Sequence, residues 1–88
     1  MDITLKNGLT YTVDEEALGD MEIFENLVAI QKGDPVTLPE TIKALIGEDG
    51  YARMKDSVRN EKGHVKIADF MTQIGELLLE VGQNRKKK

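Results

Sequence analysis

Few groups in this 88-residue chain could carry out chemistry: two clusters of carboxylates, one histidine and no cysteine. Asp14, Glu15 and Glu16 are consecutive, and Glu48-Asp49 forms a second pair. Paired carboxylates perform general acid and base steps when a cleft sets their pKa values apart. Both clusters instead sit where helical periodicity begins, where acids cap free amides and favour the helix dipole. His64 stands between Gly63 and Val65 in an expected turn. A histidine base needs an orienting carboxylate and a nucleophile within reach, so a solvated turn residue is the simpler reading. Zero cysteine removes a disulfide framework, a zinc–thiolate site and a thiol nucleophile together. The sequence contains no phosphate loop, no Gly-x-Gly-x-x-Gly, no HExxH and no calcium-loop spacing. An enzyme is not expected, nor is a catalytic residue, a metal or a cofactor.

Charge and length narrow the remaining classes. The chain carries 12 Lys and Arg against 16 Asp and Glu, for a formal charge of −4. Four of the cations are Arg85 to Lys88, so residues 1–83 hold a net −8. A body that acidic is repelled by phosphate, which argues against nucleic acid as a partner. With 40% hydrophobic and 32% charged residues, the composition is that of a folded domain rather than a disordered segment. The length fits one domain, expected over residues 1–83, followed by a basic flexible tail over 84–88. No apolar run approaches the roughly 18 residues of a membrane span, and no membrane partner is expected.

The elements that must position any site follow from periodicity. Ile3 and Leu5 alternate with Thr4 and Lys6; Leu9, Tyr11 and Val13 alternate with Thr10 and Thr12. Asn7-Gly8 lies between them and accepts the positive φ angles of a tight primed turn, predicting a β-hairpin over about 2–13. Its apolar face needs a helical partner, because an isolated hairpin is marginal in water. Asp14 is a candidate cap for a short turn ending at Gly19, and Asp20 for a helix over about 20–32 that stops at Gly33. The apolar residues of that helix (Met21, Ile23, Phe24, Leu27, Val28 and Ile30) span roughly half its circumference, which predicts more than one neighbour. Thr37-Leu38-Pro39-Glu40 fits a capping box for a helix over 37–46, with Leu38, Ile42, Leu45 and Ile46 buried and Gly47 as its end. A further helix is predicted over 48–60, with Tyr51, Met54 and Val58 on one face. The last, over 67–81, carries Ile67, Phe70, Met71, Ile74, Leu77, Leu78 and Val81 within an arc of about 120°. The expected fold is mainly α: an N-terminal hairpin packed on a compact bundle of about four helices.

A second strip lies outside that arc on the last helix: Ala68, Thr72, Gly75 and Leu79. Small residues let elements approach closely, so the strip either packs within the monomer or docks another chain. The second reading accounts for Leu79. Phe24, Leu27, Ala68, Thr72, Gly75 and Leu79 are the candidate partner-binding residues. A small helical DNA-binding or antitoxin-like regulator is the competing class, since consecutive short helices can form a helix-turn-helix.

In order and spacing, several segments resemble the small tail assembly chaperones of siphophages and related prophages. They are Lys6 to Glu16, Met21 to Leu27, Ile30 to Pro35, Ala44 to Tyr51, and Gly63-His64-Val65 leading into the last helix. Lys66 departs from the pattern, standing where a better capping residue is expected. The resemblance implies a non-enzymatic, mostly helical protein that binds the tape measure protein and keeps it soluble during tail assembly. It further implies the tail tube protein as a possible second partner, homo-oligomers as an option, and residence in the host bacterial cytoplasm rather than the mature virion. Such proteins commonly have a longer form made by ribosomal frameshifting, and codons for Lys86 to Lys88 could form the slippery run.

Overall fold

The computed structural model describes residues 1–86. Two short strands, β1 (Asp2–Thr4) and β2 (Thr10–Thr12), precede four helices: α1 (Glu15–Leu18), α2 (Met21–Gln31), α3 (Leu38–Ser57) and α4 (Ile67–Lys86). The mainly helical fold with an N-terminal hairpin is therefore observed. The strands pair antiparallel, with Ile3 opposite Tyr11. This register puts Ile3, Leu5, Tyr11 and Val13 into the core and leaves the threonines outside. Leu9 is only partly buried.

The hairpin loop differs from the expected two-residue turn. The Leu5 amide donates to the Leu9 carbonyl (3.0 Å) and the Gly8 amide to the Leu5 carbonyl (2.9 Å), so Lys6, Asn7 and Gly8 form a three-residue loop. Only Gly8 takes a positive φ, 89°. This is the turn-plus-bulge solution, which needs one left-handed residue where the primed turn needs two. The Asn7 side chain accepts from the Leu9 amide (3.0 Å) instead of adopting that conformation. The loop is pinned to α4, because the Lys6 amide donates to Glu76 Oε2 at 2.6 Å.

Caps set the starts of α1 and α2 as expected. Asp14 accepts from the Glu16 amide, and Asp20 from the amides of Glu22 and Ile23. Gly33, with φ 96°, follows the end of α2. The Thr37 capping box does not form. Thr37 sits at φ −95°, ψ 4°, and makes no side-chain cap hydrogen bond, because an extended backbone is what aims a cap hydroxyl at the helix amides.

α3 is the hub of the fold, touching β2, α1, α2 and α4. It breaks at Gly47 (φ 80°, ψ 166°), so the expected separation into two helical arms is observed. That backbone region is essentially open to glycine alone. A break leaves last-turn carbonyls without intrahelical partners. The Leu45 carbonyl is taken by the Asp14 amide at 2.8 Å, which ties the exit of the hairpin to the break. The first arm buries Leu38, Ile42, Leu45 and Ile46, as predicted, together with Thr41. The second arm buries Met54 and ends at Ser57 rather than near residue 60.

Beyond α3, Arg59 and Val65 form an isolated antiparallel bridge around a turn in which Gly63 has φ 86°. α4 then buries Phe70, Ile74, Leu77 and Val81 against the rest. Ile67, expected in that stripe, is 75% exposed although it lies well within the arc; it is the first residue of α4. α4 also runs through Gly82 to Lys86, past the expected end at Val81. Gly82 does not take the left-handed conformation, and glycine permits a stop without imposing one. The expected tail thus overlaps α4 at 84–86, and residues 87–88 lie outside the described residues. All the buried apolar side chains form one cluster. Each large one contributes about 1.5–3 kcal/mol relative to exposure.

Candidate protein-docking surfaces

The carboxylate clusters are occupied with structural tasks. Asp14 caps α1, and Asp49 pairs with Arg53 Nε at 3.2 Å, one turn along the same arm. Among the described residues no group of three or more His, Asp or Glu is placed to hold a metal ion. His64 is exposed in its turn, with its amide bound to Asn60 Oδ1 at 2.9 Å. No helix among the described residues is long and apolar enough to cross a membrane.

The apolar surfaces are more informative. α2 is apolar on two opposite sides. Ile23, Leu27 and Ile30 face inward, whereas Met21, Phe24 and Val28 face solvent, with Met21 66% and Phe24 56% exposed. At about 100° per residue, the outward three sit within a 60° arc opposite Ile30. The wide stripe has more than one neighbour, as expected, since α2 packs on α1 and α3; among the described residues its outward half meets nothing. Phe24, Leu27, Val28 and Gln31 line an open depression of about 390 Å³ on this side.

The strip on α4 is also unpartnered. Ala68, Thr72, Gly75 and Leu79 are all exposed, Leu79 by 61%. A Cβ built on Gly75 would meet nothing within 4 Å, so no element uses the glycine for close packing. Of the two readings of this strip, packing within the monomer is therefore not realised. Thr72 Oγ1 instead donates back to the Ala68 carbonyl at 3.0 Å, one turn earlier. The six candidate binding residues form two separate faces, because α2 and α4 do not touch. Phe24 and Leu27 come together; the four on α4 come together; the structure does not join the two sets.

Two features of the surface were not singled out from sequence. Lys43, Tyr51 and Lys55 meet on one side of α3, and a groove lies beside Tyr51 against Val65 and Ile67. Arg59, Lys62, His64 and Lys66 line a second, open depression with Glu61. The second is local to residues 59–66, and Tyr51 and Lys55 are one helical turn apart, whereas Lys43 joins them from the other side of the α3 break.

Comparison of the chain with protein-family models, with curated proteins and with solved structures finds no match. Functional reading therefore starts from these faces.

Proposed function

We propose that this protein is a tail assembly chaperone of the siphophage type, a non-enzymatic protein that binds the tape measure protein and keeps it soluble during tail assembly. The observation that carries the proposal is the outward apolar side of α2, Met21, Phe24 and Val28, left unpartnered in a chain of net charge −4. Long helical clients expose apolar stripes, and an amphipathic helix is bound by a complementary apolar face. An exposed cluster of large apolar side chains marks a protein-binding surface more often than chance. Surrounding net negative charge keeps such an assembly soluble. The order of the segments from Lys6 to Val65 supports the same assignment. The tail tube protein as a second partner, homo-oligomers and the host cytoplasm belong to this reading.

Co-expression with fragments of a tape measure protein tests it. Wild-type protein is expected to co-purify with the client, and Phe24→Asp and Leu79→Glu to lose it while keeping helical circular dichroism. Retained co-purification by both variants would remove the two faces from the proposal.

A second reading, a DNA-binding or antitoxin-like regulator, draws on the cations of the 59–66 segment. Salt-sensitive retardation of duplex DNA in a gel would favour it over the chaperone.

A further inference from the structure

The Tyr51 ring is shared by two ammonium groups. Lys43 Nζ lies 5.3 Å from its centroid and Lys55 Nζ 4.8 Å. The Phe70 ring meets Tyr51 edge-on at 5.4 Å and 75°, which holds the phenol ring in place. Beside this ring opens a groove of about 240 Å³, lined by Pro35, Leu38, Tyr51, Lys55, Val65 and Ile67 among others. Ile67 is 75% exposed at its edge.

Residues 64–67 run between this groove and a charged neighbour. Val65 and Ile67 line the groove, whereas His64 and Lys66 line the depression with Arg59 and Lys62. Arg59 is paired with Asp56 at 3.0 Å. Lys43, Lys55, Lys62 and Lys66 form no ion pair among the described residues. Glu61 is the carboxylate in the depression; Asp34, Glu40 and Asp69 neighbour the groove in sequence without lining it. A chain with 16 acids and 12 bases thus sets two lysines that form no ion pair among the described residues, Lys43 and Lys55, beside one apolar groove, with Lys62 and Lys66 in the neighbouring depression.

We infer that this groove docks an acidic amphipathic segment of a partner protein. One large apolar side chain of the segment seats against Ile67 and Tyr51, and its carboxylates meet Lys43 and Lys55. The groove is smaller than the roughly 300 Å³ at which small-molecule sites begin, which suits an anchor side chain. Its apolar lining gives a phosphate backbone no partner, and complementary charge sets partner choice and encounter rate. The Phe24 and Leu79 faces are separate from it, so the inference goes beyond the chaperone reading and does not depend on it.

Fluorescence anisotropy with the full chain tests the inference. The probe is a labelled synthetic helix with leucine along one face and glutamate elsewhere; its glutamine counterpart and a duplex DNA of similar length serve as comparisons. The glutamate peptide is expected to bind, to weaken as salt rises, and to bind better than the glutamine peptide. Ile67→Ser and Lys43→Glu, both at exposed positions, should each weaken binding about tenfold with circular dichroism unchanged. Equal binding of both peptides, or undiminished binding by both variants, overturns the inference. Binding of DNA in place of the peptide overturns it in favour of a polyanion site.

Discussion

The guanidinium of Arg53 lies 5.0 Å from the centroid of the Tyr11 ring. The same group donates Nη1 to the Thr10 carbonyl at 3.0 Å and Nε to Asp49 at 3.2 Å. One side chain on the second arm of α3 therefore covers the hairpin's central aromatic, takes up a strand carbonyl, and is held by the carboxylate one turn earlier. Arg53→Ala should destabilise the protein by about 1–2 kcal/mol, from a cation–π contact and a charge-assisted hydrogen bond. Arg53→Lys should recover only part of this, because an ammonium lacks the planar fork. Urea denaturation of the three proteins measures both effects.

Tyr11 itself is fully buried, and burial pushes its phenol above the ordinary value, opposed by the Ser57 side chain and the Arg53 guanidinium. Ser57 donates its hydroxyl to the Met54 carbonyl at 2.7 Å, and the phenol oxygen reaches no partner with hydrogen-bond geometry among the described residues. A raised value means that the folded protein holds the proton more tightly than the unfolded chain does. Stability from this group is complete below the unfolded value, about 10, and is lost as pH rises through the folded value. Denaturation midpoints should fall as pH rises above about 10. In Tyr11→Phe this group's contribution to the alkaline loss should vanish, with stability at pH 7 unchanged or raised, since the substitution removes an unsatisfied hydroxyl.

Gly47→Ala should be among the most costly single methyl additions in the chain. No heavy atom lies within 4 Å of the added Cβ, so the penalty is conformational rather than steric crowding by neighbours. Holding φ 80°, ψ 166° without glycine costs about 1–3 kcal/mol. The expected signature is a lower melting temperature together with faster amide exchange at Asp14, whose amide bonds the Leu45 carbonyl beside the break. Gly75→Ala, at a helical position with open space, should raise stability by about 0.5–1 kcal/mol.

The two sides of α2 should respond oppositely to truncation. Ile30→Ala, in the core, is expected to cost about 2–5 kcal/mol. Phe24→Ala, on the solvent side, should change stability by less than about 0.5 kcal/mol while weakening any client that binds there. Thermal melts beside a client pull-down separate packing from binding.

Much of the fold was legible in the chain. Period-two alternation placed Ile3, Leu5, Tyr11 and Val13 on one hairpin face, and the stripe Leu38, Ile42, Leu45 and Ile46 was read from helical spacing alone. Asp14, Asp20, Gly33 and Gly47 marked element ends because caps and left-handed backbone act within a few residues. The end without such enforcement was misplaced, since Gly82 lies inside α4; α3 does start after Thr37, though the threonine makes no side-chain cap hydrogen bond. A local residue can allow a boundary, but tertiary packing on either side decides whether it is used.

Sequence by itself determined which residues could be buried and where the backbone had to turn, since both follow from side-chain chemistry at short range. It also showed that α2 was apolar over half its circumference, but not that only one side would be covered. That depended on how many neighbours the fold supplied. Helical spacing pairs Tyr51 with Lys55, but tertiary structure decided the rest of the Tyr51 site. Lys43 and Tyr51 lie on the two arms of α3, on either side of Gly47. Across the break the lysine lies 5.3 Å from the ring, and Val65, bridged to Arg59, lines the same groove with Ile67. Proximity across a break is a property of the backbone path, which no spacing rule along the chain can state.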